Sequence, residues 1–140
     1  MGLEELVGEW TLEAVENYDA FLAQQGVSWL IRTAASAMGF GVGGTTLKIA
    51  VEGDKISLSF KNPKCANVNE GTVGSESKGF APDGQDLNFE YKIEGGLFIM
   101  IGKDPAGKAP DAIEEYSIVD GKLVKCLKSG DVVAKEIYKK

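Results

Sequence analysis

Apolar and polar residues alternate along most of this chain, in short runs broken by turn signals. Leu6, Gly8, Trp10, Leu12 and Ala14 alternate with Val7, Glu9, Thr11 and Glu13, the period-two pattern of a half-buried strand. The period then changes. Tyr18, Phe21 and Leu22 recur at helical spacing after Asn17, a possible cap, and Gly26 ends the segment. Ser28 can cap a second, alanine-rich helix from Trp29 to about Met38. The run Gly39-Phe40-Gly41-Val42-Gly43-Gly44 stops it. That run follows a helix, whereas a phosphate-cradling loop follows a strand and opens a helix, so it reads as a connector.

From Thr45 the pattern is β almost without a break. Leu47, Ile49 and Val51 alternate with charged and small residues, Gly53-Asp54 turns the chain, and Ile56, Leu58 and Phe60 alternate again. Asn62-Pro63 interrupts, and Asn67 to Phe80 carries two weak, polar strands. Pro82-Asp83-Gly84 is a turn. Leu87, Phe89, Tyr91 and Ile93 then give the clearest half-buried strand, and Gly95-Gly96 turns it into Leu97–Ile101. A loop at 104–107 precedes a strand from Ala112 to Val119. The last hairpin spans Asp120 to Tyr138, with Ser129-Gly130 as its predicted turn.

About ten short antiparallel strands, joined mostly by hairpin turns, are best accommodated by an up-and-down barrel, because closure removes exposed edges. The fold class is therefore mainly β: a ten-stranded antiparallel barrel with a helix-turn-helix lid, in one domain over 1–140. A barrel of that width is not filled by its own side chains, so an interior cavity is expected.

Charge inside the final hairpin qualifies this picture. The turn places Leu123, Lys125, Leu127, Val132, Ala134, Glu136 and Tyr138 on one face and Val124, Cys126, Lys128, Asp131, Val133, Lys135 and Ile137 on the other. Neither face is apolar throughout. With Ser129-Gly130 as the turn, Lys125 faces Ala134 and sits diagonal to Glu136, within reach of long side chains.

Composition narrows the function. The 140 residues carry a formal net charge of -6, which disfavours nucleic acid as a partner. The chain has no histidine, so the commonest general base and nitrogen metal ligand are missing. Cys65 and Cys126 do not have metal-site spacing. They read as free thiols, with Cys126 on the outward face. The start Met1-Gly2-Leu3-Glu4-Glu5 is acidic where a signal peptide would be basic, and a cytoplasmic protein is expected. No apolar run approaches the roughly 18 residues of a membrane span. No enzymatic activity and no cofactor or metal are expected.

The landmarks together resemble the intracellular lipid-binding proteins, the family of fatty-acid-binding and cellular retinoid-binding proteins. Gly8-Glu9-Trp10 is similar to the family's Gly-x-Trp on the first strand. Glu16-Asn17-Tyr18-Asp19-Ala20-Phe21-Leu22 with Gly26-Val27, and Arg32-Thr33-Ala34-Ala35, are similar to its two helices. Gly53-Asp54, Asp120-Gly121-Lys122-Leu123 and Ile137-Tyr138 match its later landmarks. The chain departs at 39–44, 63–86 and 104–110.

The resemblance implies a cavity, lidded by the helical pair, that carries a small hydrophobic ligand through the cytosol. A monomer is expected. Fatty-acid binders of the family hold the carboxylate with two arginines and a tyrosine near the C-terminal strands, and retinol-type members usually carry glutamine in place of the arginines. Aligned on the landmarks, the arginine positions fall on Tyr116 and Glu136, and the tyrosine on Tyr138. Only the tyrosine is retained.

Tyr116, Lys125, Glu136 and Tyr138 thus form the expected head-group site. Two readings stand side by side: Lys125 and Glu136 neutralise each other as a buried pair, or Glu136 accepts from the ligand with the two tyrosines beside it. Either disfavours a plain carboxylate and suits a neutral or hydroxylated ligand (alcohol, retinoid or carotenoid type) or an amine. The alternative is a ligand-free barrel acting as a protein-interaction module.

Parity places Leu47, Ile49, Val51, Ile56, Leu58, Phe60, Leu87, Phe89, Tyr91, Ile93, Ile99 and Ile101 on the cavity wall. Tyr18, Phe21 and Leu22 face it from the lid. Between Glu16 and Thr46 the charged residues are Glu16, Asp19 and Arg32. Such a lid lacks a basic face for anionic membranes, so at most transient membrane contact is expected.

Overall fold

A computed structural model describes residues 2–82 and 84–140; Asp83, in the expected 82–84 turn, lies outside them. The strands are β1 (Gly8–Glu16), β2 (Thr46–Glu52), β3 (Lys55–Lys61), β4 (Ala66–Thr72) and β5 (Glu76–Phe80). They continue as β6 (Asp86–Glu94), β7 (Leu97–Lys103), β8 (Ala112–Val119), β9 (Lys122–Ser129) and β10 (Val132–Lys139). Helices α1 (Tyr18–Gln24) and α2 (Trp29–Ala37) follow β1. The ten strands form one antiparallel sheet in the order β4-β3-β2-β1-β10-β9-β8-β7-β6-β5. It curls into a nearly closed barrel, whose edge strands β4 and β5 meet without a backbone ladder.

Side chains bridge that seam instead. Asn69 Nδ2 donates to Phe80 O (3.1 Å), and Phe80 N donates back to Asn69 Oδ1 (2.8 Å). Ser77 Oγ donates to Glu70 O, and Asn67 Nδ2 to Ala81 O. The weak polar strands of the sequence are weak because their apolar positions are given over to this stitching. Gly71 lies there too. A Cβ at Gly71 would overlap the Tyr91 ring, and one at Gly79 would stand 2.5 Å from Asn69 Oδ1 and 2.8 Å from Phe89.

The N-terminal segment departs from the expected strand. Leu3–Leu6 forms a 3-10 turn with Leu3 and Leu6 buried, and Trp10 Nε1 donates to Leu6 O at 2.9 Å. Strand β1 carries a bulge between Leu12 and Ala14, opposite Tyr138 and Ile137. The extra residue reverses the alternation, so Val15, not Ala14, continues the inner face opposite Glu136.

The last hairpin also corrects the expectation. Ser129 pairs with Val132, so the loop is Gly130-Asp131 rather than Ser129-Gly130. Gly130 has φ of 56°, and a glycine at the first loop position is what a type II′ turn demands. A Ser129-Gly130 loop would ask Ser129 to adopt that conformation. The pairing moves by two residues, which preserves the faces. Lys125 stands directly opposite Glu136, not diagonal to it.

A second correction concerns β7. Its register places Phe98, Met100 and Gly102 opposite Ile93, Tyr91 and Phe89, on the inner face. Ile99 and Ile101 pair with Lys92 and Glu90 on the outer face and do not line the wall. Leu97–Ile101 is apolar at every position, so periodicity could not choose the face. Ile93 is exposed at the rim beside the Gly95-Gly96 turn.

Helix α1 packs Tyr18, Phe21 and Leu22 against Leu127, Ala134, Ala112 and Val132, a cluster separate from the main core. Asn17 does not cap α1 as expected. Its Nδ2 donates to Val133 O at 2.9 Å. Gln25 Nε2 reaches Ser129 Oγ at 2.6 Å. These two bonds fasten the lid to β9 and β10. Ser28 caps α2 as expected, accepting from Ile31 N.

Candidate functional site: a buried cluster of two carboxylates, a lysine and two tyrosines

Strand register brings the site together. Tyr116 on β8 opposes Lys125 on β9, and Lys125 opposes Glu136 on β10. Two residues along their strands, on the same face, lie Glu114 and Tyr138. Lys125 Nζ lies 3.0 Å from Glu114 Oε1 and 3.2 Å from Glu136 Oε1. Tyr116 OH donates to Glu114 Oε1 (2.8 Å) and Tyr138 OH to Glu136 Oε1 (3.3 Å). The ammonium also stands 5.3 Å from the Tyr116 ring centre and 6.0 Å from that of Tyr138. Every member is largely buried: Lys125 is 7% exposed, Glu136 6%, Tyr116 1% and Tyr138 0%.

Burial pulls the Lys125 ammonium toward neutrality, but Glu114, Tyr116 and Glu136 outweigh it and hold its pKa well above the usual lysine range. Burial, reinforced by Glu114 at Tyr116 and by Glu136 at Tyr138, raises both phenols well above the tyrosine range. At neutral pH the lysine is therefore charged and both hydroxyls keep their protons.

The cluster faces a cavity lined by Leu47, Leu58, Phe60, Phe89 and Met100, with Glu114, Tyr116 and Lys125 at one end and Asn67, Asn69, Phe80 and Pro82 of the seam at the other. About 40 Å³ of it is free, room for a few water molecules. Anything larger could occupy it only if the lining side chains moved aside.

Of the residues expected at the site, Tyr116, Lys125, Phe60 and Phe89 line the cavity. Glu136 and Tyr138 do not line it. Tyr91 is fully buried in the core, in a chain of rings running Phe89–Tyr91–Phe98–Tyr116, with centres 6.4, 6.3 and 5.2 Å apart. Tyr18, Phe21 and Leu22 pack the lid onto the barrel. Ile99 and Ile101 face outward, as above. The sequence reading missed Glu114, Met100 and Phe98. Glu114 was within its reach: it lies two residues before Tyr116, so the same parity turns it inward.

On the outside of the lid, α2 has no buried residue and exposes Trp29, Leu30 and Ile31. Arg32 is held by Asp19 (3.2 Å) and Val27 O (2.7 Å). Cys65 and Cys126 are free thiols. Among the described residues no group of three acidic, cysteine or histidine side chains could hold a metal ion, and no helix is long and apolar enough to cross a membrane.

No family model matches the chain. Over nearly its whole length it is similar to named proteins. It is 32% identical to the sodium/calcium exchanger regulatory protein 1 of Doryteuthis pealeii, over 97% of this chain and 96% of that one. It is 31% identical to fatty acid-binding protein homolog 5 of Caenorhabditis elegans, over 99% and 98%. Among solved structures, the apo lipid binding protein 8 of Caenorhabditis elegans matches with a TM-score of 0.83 and 26% identity, over 100% of this chain and 98% of that one. The REP1-NXSQ fatty acid transporter matches at 0.82 and 30%, over 98% and 96%.

Proposed function

The chain belongs to the fatty-acid-binding protein family, and on that premise we propose that it is a cytoplasmic, monomeric carrier whose ligand bears a neutral, hydroxylated or amine head group rather than a plain carboxylate. The relatives are named for binding or transporting fatty acids, which supports the lipid-carrier half of this reading and makes them binding proteins rather than enzymes. The head-group half rests on one observation: Lys125 is held between Glu114 and Glu136. A fatty-acid carboxylate would be the third acid around one lysine. A hydroxyl can donate to a carboxylate and accept from the lysine, so it fits without repulsion.

The binding residues in this reading are Glu114, Tyr116 and Lys125 at the head group, supported by Glu136 and Tyr138, and Phe60, Phe89 and Met100 along the tail. Competition on the delipidated protein tests it. Oleyl alcohol should displace a neutral fluorescent probe at lower concentration than oleate, and Glu136→Gln should narrow the gap. Oleate binding tighter than the alcohol and indifferent to Glu136→Gln would end the head-group half. Native mass spectrometry of protein purified gently from cells tests the carrier half, which requires a co-purifying small molecule.

A second reading, a barrel that acts on a protein partner, draws on the Doryteuthis pealeii relative, which is named for regulating an exchanger. Purification without any ligand, together with no displacement by any lipid, would favour it.

A further inference from the structure

We infer that the head-group end selects a protonated primary amine on a long apolar tail, with Glu114 as its counter-ion. This deepens the carrier reading above and rests on it. The argument is one of charge and valence. Glu114 and Glu136 share one ammonium, so the buried cluster carries one formal negative charge in excess. Glu136 pairs with Lys125 from the neighbouring strand and is not among the side chains that line the cavity. Glu114 lines the cavity, and its side chain is 17% exposed against 8% for Glu136. The surplus charge therefore belongs to the carboxylate that a ligand can reach.

The hydrogen-bonding capacity has the same bias. Tyr116 spends its proton on Glu114 Oε1, and Tyr138 spends its own on Glu136 Oε1. Lys125 is shared by both acids. Both phenol protons and two of the three Lys125 N–H donors are committed to the cluster's own carboxylates. Glu114 Oε2 accepts no hydrogen bond from the described residues, and a carboxylate has about four acceptor positions. What the cluster has to spare is mainly acceptor capacity with negative charge; the Tyr91 hydroxyl, buried without a hydrogen-bond partner among the described residues, is not part of the cavity lining. A ligand carboxylate offers neither donor nor compensation. An alcohol offers one donor, with acceptor lone pairs, and no positive charge. An ammonium offers three donors and the missing positive charge, and it alternates with Glu114, Lys125 and Glu136 so that each cation touches an anion. Glu114 and Lys125 are the charged side chains lining the cavity, so no further base competes there. An ammonium can make up to three donor bonds and supplies the compensating charge where an alcohol makes one donor bond, which corresponds to about a tenfold preference over the alcohol.

The test compares oleylamine, oleyl alcohol, oleate and N-oleylacetamide, which share one tail, by displacement of a neutral fluorescent probe at neutral pH. Oleylamine should bind at least about tenfold tighter than oleyl alcohol and N-oleylacetamide. Glu114→Gln should abolish that margin, bringing amine and alcohol to comparable affinity. Glu52→Gln, an exposed acid at the β2–β3 turn removed with the same change in net charge, should leave the margin intact. An amine no tighter than the alcohol or the acetamide, or a margin that survives Glu114→Gln, overturns the inference. In that case alcohol binding tighter than oleate keeps the head-group reading standing. Oleate binding tightest overturns both. The acetamide comparison uses the unmodified protein, so it decides the matter even where the Glu114 variant does not fold.

Discussion

Lys125 and Glu136 face each other directly across the β9–β10 hairpin, with Nζ 3.2 Å from Oε1. They are not an isolated pair. The same ammonium lies 3.0 Å from Glu114, and the two acids between them need it. Lys125 is therefore the member whose removal leaves most unpaired charge inside.

Lys125→Met should destabilise the protein by about 3–5 kcal/mol, the usual cost of stranding buried charge. Glu114→Gln leaves a one-to-one pair and keeps an acceptor for Tyr116, so its cost should stay within about 1 kcal/mol. Urea denaturation of both variants reads this. A Lys125→Met protein as stable as the parent would show that the two acids do not depend on the lysine for compensation.

Alkaline pH should weaken the fold through this cluster, and acid should not weaken it through Lys125, Tyr116 or Tyr138. All three have folded pKa values above their unfolded ones. The folded state then binds more protons than the unfolded state once pH passes the unfolded values of about 10.0–10.5. Stability is full below that window and falls as pH rises through it. Melting temperature followed from pH 8 upward, in parent and Tyr116→Phe, tests the sign. A parent that gains stability above about pH 10 would refute it.

Gly71 is expected to tolerate no side chain while Tyr91 is present. Gly71→Ala should cost about 1–3 kcal/mol through overpacking. Pairing it with Tyr91→Leu should recover part of that loss, since the two changes share one space. Additive losses in the double variant would point to a backbone cause instead.

Asn69 should control the β4–β5 seam. Asn69→Leu removes the acceptor of the Phe80 amide and the donor to the Phe80 carbonyl. Hydrogen exchange at Phe80 should accelerate well beyond that at Val124, whose strand β9 is paired on both sides, with Ser117 on β8 and Ile137 on β10. Equal acceleration at both would mean that the whole barrel had loosened.

Ligand transfer to vesicles should not depend on anionic lipid. The lid's one basic side chain, Arg32, is engaged by Asp19 and Val27, and its outward residues are Trp29, Leu30 and Ile31. A transfer rate that climbs steeply with anionic lipid and vesicle concentration would contradict transient, uncharged contact.

Most strands were legible because one face is buried and one is wet, which writes a period of two into Leu47–Glu52, Ile56–Phe60 and Leu87–Tyr91. Legibility failed where that contrast fails. Leu97–Ile101 is apolar on both faces, so its inward side was misassigned. Asn67–Phe80 is polar because its side chains replace a missing ladder. The bulge in β1 and the glycine position in the last turn are local backbone choices that slide or flip a pattern without erasing it.

By itself, then, the sequence determined the barrel, the lid, and the presence of Lys125, Glu136, Tyr116 and Tyr138 on one inner face, because strand parity survives a two-residue slip in register. Only the tertiary structure decided who meets whom. It set Lys125 opposite Glu136, brought in Glu114 from β8 as a second acid, and left Glu114, but not Glu136, lining the cavity. Those distances depend on the register of three neighbouring strands at once, and no single strand's pattern carries that information.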